Sequence, residues 1–241
     1  MKTLDVAAFA LNAGLYVVFG YIFYNFLPIT APGLGAVRFW PQVIVPAVFA
    51  ALFGPWVGGF GAAVGIFIND MLIHGNPLLS LMAGVTSNFA MFSLIGYVSK
   101  KNVNWRISIV GFGVTSALLV WIASFAVSDQ YALWVSAGII VASYVILSGI
   151  VALTPKWRGF EAGCMMGLLI GASIIGATVP LFSQFFIMPG ASNLTPMTVL
   201  AGFGYLIWTF ATEIPFLLVL GPPILQACYR AFPSLRPKRE E

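Results

Sequence analysis

The stretch "LFGPWVGGFGAAVGIFIND", residues 52–70, opens on a Gly-Pro break and closes on two polar residues, inside a chain that is otherwise almost unbrokenly apolar. Drawn as one helix, residues 42–72 would run about 46 Å at 1.5 Å per residue, well beyond a hydrocarbon core of about 30 Å. Two short helices with a tight turn at Gly54-Pro55 fit better. The second then delivers Asn69 and Asp70 to the end opposite the turn.

The composition around this stretch settles the class. With 60% hydrophobic and 7% charged residues among 241 and a mean hydropathy of +0.98, polar side chains are too few to cover a water-soluble globule, and the chain belongs in a bilayer. A net charge of +4 does not imply nucleic acid, because the basic residues sit in short loops and a tail, where they encode membrane orientation. No nucleic-acid partner is expected. Cys164 and Cys228 fall near helix ends assigned to the cytoplasmic side, so no disulfide is expected, and they have no metal spacing. The apolar run from Val6 to Leu27 is too long for a signal-peptide core and reads as a retained first helix.

Apolar runs near 6–27, 37–53, 55–73, 80–98, 107–127, 133–153, 161–181 and 199–226 predict an all-α, polytopic transmembrane bundle of about eight helices. It forms one membrane domain over 1–241, with a basic cytoplasmic tail from 229 to 241. With both termini cytoplasmic, the interior loops and tail receive Lys2, Lys100, Lys101, Arg106, Lys156, Arg158, Arg230, Arg236, Lys238 and Arg239, and Arg38 alone lies outside. A seven-span, N-outside topology that fuses the doubtful pair satisfies the charge rule equally well, exchanging Lys2 with Arg38. Helix length favours eight.

Lipid gives helices no hydrophobic reason to associate, so small residues supply the close contacts. Gly58, Gly61, Ala62 and Gly65 line one face of the third helix, and Gly163, Gly167 and Gly171 do the same on the seventh. On the first helix, Ala10 and Gly14, with Ala7 and Ala13 near that face, form a smooth strip able to dock a partner helix. The same spacing also serves ordinary bundle packing. "IVPAVFAALFGP" and "EIPFLLVLGP" echo one another, but their Pro-to-Gly intervals differ and they are not a repeat.

Catalytic sets are missing from the sequence. His74 is the one histidine, and neither a GxSxG elbow nor a Walker-type loop occurs. No enzyme, metal or cofactor is expected, and uphill transport would draw energy from another subunit or an ion gradient. Ionisable residues within spans are costly and therefore mark candidate sites. Glu213, just before Pro215, is such a residue, its ordinary alternative being a carboxyl bonded to a neighbouring helix. A second group gathers at the outer ends. Arg38, beside Phe39 and Trp40, can hold an anionic or carbonyl group, or can snorkel in an aromatic belt. Asp70 and His74 stand four apart and can pair, as ligand contacts or as a cap. Asn76 follows in the same loop. Asn88, midway along the fourth helix beside Ser87, serves as interhelical glue or as a ligand contact.

"VRFWPQVIVPAVFAALFGPWVGGFGAAVGIFINDML", followed by "FSLIGYVSKK", together with the ending "TEIPFLLVLGPPILQACYRAF", resembles the substrate-binding membrane subunit, or S component, of energy-coupling factor (ECF) transporters. The similar parts cover roughly residues 1–101 and 205–232. The resemblance implies a prokaryotic plasma-membrane protein that captures a vitamin, a precursor or a metal ion from outside. Such subunits associate with a transmembrane coupling subunit and a pair of ABC-type ATPases, and topple in the membrane to release the cargo inside. It further implies a pocket closed by residues 28–41 and 73–79, containing Arg38, Trp40, His74 and Asn76, and coupling-subunit docking through Ala10 and Gly14. The family's usual six helices imply an extra pair here between residues 107 and 181. The metal-binding branch relies on an N-terminal histidine, whereas this chain begins "MKTLDV", so a small organic, ring-containing solute is expected. The competing expectations are a proton-coupled secondary carrier using Glu213, a non-transporting scaffold subunit for which the glycine stripes suffice, and an enzyme of the lipid phase.

Overall fold

The computed structural model describes residues 3–27, 29 and 39–236. Among these residues the chain forms eight helices: α1 (Thr3–Phe26), α2 (Pro41–Phe53, opening with a 3-10 turn), α3 (Pro55–Ile73), α4 (Pro77–Val98), α5 (Trp105–Ala126), α6 (Gln130–Leu153), α7 (Arg158–Phe185) and α8 (Val199–Ala231). Seven are long and apolar enough to cross a membrane; Pro41–Phe53 is shorter. This is a polytopic helical membrane protein. Within the expected span at 37–53 the helix starts at Pro41, and α7 and α8 run past their expected ends at 181 and 226, to Phe185 and Ala231. Pro215, Pro222 and Pro223 lie inside α8 without ending it, as membrane helices tolerate when neighbouring groups satisfy the freed carbonyls.

The break at Gly54-Pro55 is present. Gly54 adopts φ 101° and ψ −179°, a region that only glycine enters readily, and Pro55 starts α3. The two helices double back so closely that a Cβ at Gly58 would strike Ala50. The glycines of α3 serve several neighbours: Gly58 faces α2, Gly59 faces Phe89 and Ser93 of α4, and Gly61 and Gly65 face Asn12 and Tyr16 of α1. On α7, Gly159, Gly163, Gly167 and Gly171 lie along the backbone of α4 and the turn that follows it, from Ser87 to Lys101.

α2 is enclosed by α1, α3, α4 and α8, and its Ala47, Ala50 and Ala51 are buried. At about 1.5 Å per residue it spans about 20 Å, less than a hydrocarbon core of about 30 Å. α5 and α6 pack on each other and against α8, and are the least buried of the long helices together with α1. The seven described cations, Lys100, Lys101, Arg106, Lys156, Arg158, Arg230 and Arg236, gather at the Gly54 end: Lys100 approaches Gly54, Gly159 meets the Lys101 carbonyl, and Lys156 bonds Gln226. The start of α1 and the end of α8 lie at that same end. Cys164 and Cys228 are unpaired thiols.

Candidate functional site

Beyond the head of α2, at the end away from these cations, lies a cavity of ≈ 450 Å³. α1, α3, α4, α7 and α8 form its wall, Trp40 and Val43 its floor, and Met188-Pro189-Gly190 part of its rim. Five residues singled out from the sequence line it: Trp40, Asp70, His74, Asn88 and Glu213. Arg38 lies outside the described residues. Asn76 is not part of the lining. Its Oδ1 accepts the Leu79 N–H at 3.0 Å to cap α4, and its own N–H donates to His74 Nδ1 at 3.1 Å. In this position Asn76 caps a helix start beside the cavity. Asn69 is a brace: it packs on Gly20 and donates to the Tyr16 carbonyl at 3.1 Å.

The polar lining is ordered by donor logic. A tryptophan indole can only donate, and Trp40 Nε1 gives its hydrogen to the Tyr16 hydroxyl at 3.0 Å. That hydroxyl therefore points its own hydrogen to Asn88 Oδ1, 2.8 Å away, and the Asn88 amide nitrogen reaches the Gly84 carbonyl at 2.9 Å. The carbonyl belongs to a π-helical stretch, Ser80–Val85, a departure from α-helix that frees backbone groups for side chains and often marks sites.

A second set centres on Asp70. Ser80 Oγ donates to Asp70 Oδ2 at 2.7 Å, and His74 Nε2 faces Oδ1 at 3.4 Å. Because His74 Nδ1 accepts from Asn76, the ring hydrogen sits on Nε2, toward the carboxyl. Opposite, on α8, Glu213 is 6% exposed and has no hydrogen-bond or ion-pair partner among the described residues. One turn earlier, the Thr209 hydroxyl is buried without a partner and lines the same cavity. Met91, Ile66, Ile175 and Val179 supply much of the apolar wall.

Tyr16, Ser80, Thr209 and the rim at 188–190 escaped the sequence reading. Tyr16 alone carried a signal, as a tyrosine deep in a span rather than at the interface where tyrosines concentrate. The docking strip is partly corrected. Ala10 and Gly14 lie exposed on the outside of the bundle, but Ala13 is 6% exposed and belongs to the inner face. Among the described residues no three His, Cys, Asp or Glu side chains gather into a metal-binding group.

Over 97 residues the chain is 36% identical to the glycerol uptake facilitator protein of Pseudomonas aeruginosa, a match that takes in 38% of this chain and 34% of that protein. The chain thus matches about a third of the length of that curated relative. No family model matches the chain, and no solved structure matches it.

Proposed function

We propose that this chain is the solute-capturing membrane subunit of an ECF-type importer of the prokaryotic plasma membrane. It binds a small organic micronutrient, a vitamin or precursor, from outside and passes it inward with a separate transmembrane coupling subunit and ABC-type ATPases. The observation that carries this reading is the one-sided cavity. Its volume falls within the range of about 300–1,000 Å³ typical of small-molecule sites, its wall mixes apolar side chains with a few fixed polar groups, and the buried alanines of α2 fill the core between it and the cationic end. Ala10 and Gly14, exposed on α1, offer the smooth outer strip that a coupling subunit would meet. The peripheral α5 and α6 correspond to the pair by which this bundle exceeds six helices. No reaction is assigned to the site.

A second reading, a facilitator that works without ATPases, is favoured by the partial similarity to a glycerol uptake protein. One preparation separates the two. Isolation from its native membranes in mild detergent is expected to bring down a coupling subunit, two ATPase chains and a bound small molecule, and the Ala10→Leu, Gly14→Leu double variant to lose the protein partners while keeping the small molecule. A chain that comes down alone, and that by itself equilibrates glycerol across proteoliposome membranes, would instead be a facilitator.

A further inference from the structure

The charges around the cavity are one-sided. Its described lining holds two carboxyl groups, Asp70 from α3 and Glu213 from α8, and no lysine or arginine. All seven described cations lie at the opposite end of the bundle. The two acids differ in their surroundings. Asp70 is held by the Ser80 hydroxyl and faces the His74 Nε2 hydrogen, whereas Glu213 meets neither hydrogen bond nor cation among the described residues. A carboxylate enclosed by apolar helices is costly unless a partner offsets its lost hydration, and the described residues supply none. Thr209, one turn from Glu213 on α8, also lines the cavity, and its buried hydroxyl has no partner among the described residues.

The remaining lining fits the same kind of occupant. Trp40 and Tyr16 line the cavity, and their polar tips are already joined to each other, so two aromatic rings, the side chains that favour a neighbouring cation, are held in place at its wall. Met91 and Met188 add polarisable thioethers. A metal ion is a poor fit, since no three of the usual ligating side chains gather among the described residues and a bare ion would leave most of ≈ 450 Å³ unfilled. A neutral polyol would bring no cationic group to either acid.

We infer that the solute of this cavity is an organic cation, a molecule with a protonated or quaternary nitrogen attached to an apolar or ring-bearing body, whose charge is met by Glu213 with Asp70 in support and whose body rests against Trp40 and Tyr16. This rests on the cavity being the solute site. Detergent-solubilised full-length protein is titrated in a calorimeter with benzyltrimethylammonium and with phenylacetate, a permanent cation and an anion that each carry one benzene ring. The wild type is expected to bind the cation at least tenfold more tightly than the anion. Glu213→Gln is expected to remove that preference, and Asp70→Asn, which keeps an acceptor for Ser80, to reduce it at least threefold; either variant serves if the other does not fold. Phenylacetate binding as tightly as the cation, no binding of either probe, or a preference unchanged in both variants overturns the inference. A small molecule released from the purified wild type gives an independent reading. If it is cationic and is absent from Trp40→Ala protein, both the site and its charge preference are supported. If it is anionic or neutral and is equally absent from Trp40→Ala, the charge inference fails while the site stands. If neither probe nor native solute binds, the capture reading fails with it.

Discussion

Tyr16 shows how one hydroxyl can set the order of a buried network. Trp40 can only donate, so the hydroxyl must accept there and give its hydrogen to Asn88, which fixes the amide orientation and sends the Asn88 nitrogen to Gly84. Replacing Tyr16 by Phe keeps the ring that meets Phe92 edge-on at 6.2 Å but strands an indole N–H and an amide oxygen. Leaving buried polar atoms unpaired costs about 1–3 kcal/mol, so Tyr16→Phe is expected to lower the melting temperature in detergent and to weaken solute binding, with Trp40→Phe in the same background adding little more. A fully additive second loss would mean that the two residues act separately. At this scale the charged and amide members of the site were readable in the sequence, because Asp70, Asn88 and Glu213 are expensive in lipid and have to be explained. Hydroxyls were not. Thr178 and Ser173 satisfy theirs on the carbonyl four residues earlier in their own helix, at little cost, so nothing in a serine or threonine announces Ser80 or Thr209 as different.

Among the elements, α2 decides whether there is a cavity at all. It is short because Gly54 reverses the chain one residue before a proline, and Gly54 can do so because it carries no side chain. Alanine at that position would have to hold φ 101° and ψ −179°, at a cost on the order of 1–3 kcal/mol. Gly54→Ala is expected to lower the unfolding midpoint in a detergent titration and to leave the protein open to protease at the turn, whereas Gly14→Ala, where an added Cβ meets nothing within 4 Å, is expected to change neither. Equal behaviour of the two variants would remove the turn from its place in the argument. The break was readable from length alone, since an unbroken helix there would overrun the bilayer. The start of α2 was marked locally by Pro41, a residue suited to a helix's first turn, although the apolar run alone begins at residue 37; the π-helical stretch at Ser80–Val85 leaves no such pattern.

For the whole molecule, an apolar sequence identifies spans far better than neighbours. Every helix face is greasy, so composition cannot say that α5 and α6 stand at the periphery while α2 is enclosed; only the glycine positions carried contact information, and those of α3 proved to be shared among three partners. The distribution of charge, in contrast, was readable and has a consequence that can be tested. All described cations lie at the end of the bundle away from the cavity, and the bias of Lys and Arg toward cytoplasmic loops predicts a cavity that faces outside. In a background with Cys164 and Cys228 replaced by alanine, Asn193→Cys, in the exposed segment that follows the cavity rim, is expected to react with a membrane-impermeant maleimide added to intact cells. Lys101→Cys, exposed at the other end, is expected to react only in inverted vesicles. The two positions serve as controls for each other, because leaky membranes would label both and a buried thiol neither. If Asn193→Cys reacted solely from the cytosolic side, the cavity would open inward and a subunit that takes its solute from outside could not be built on this bundle.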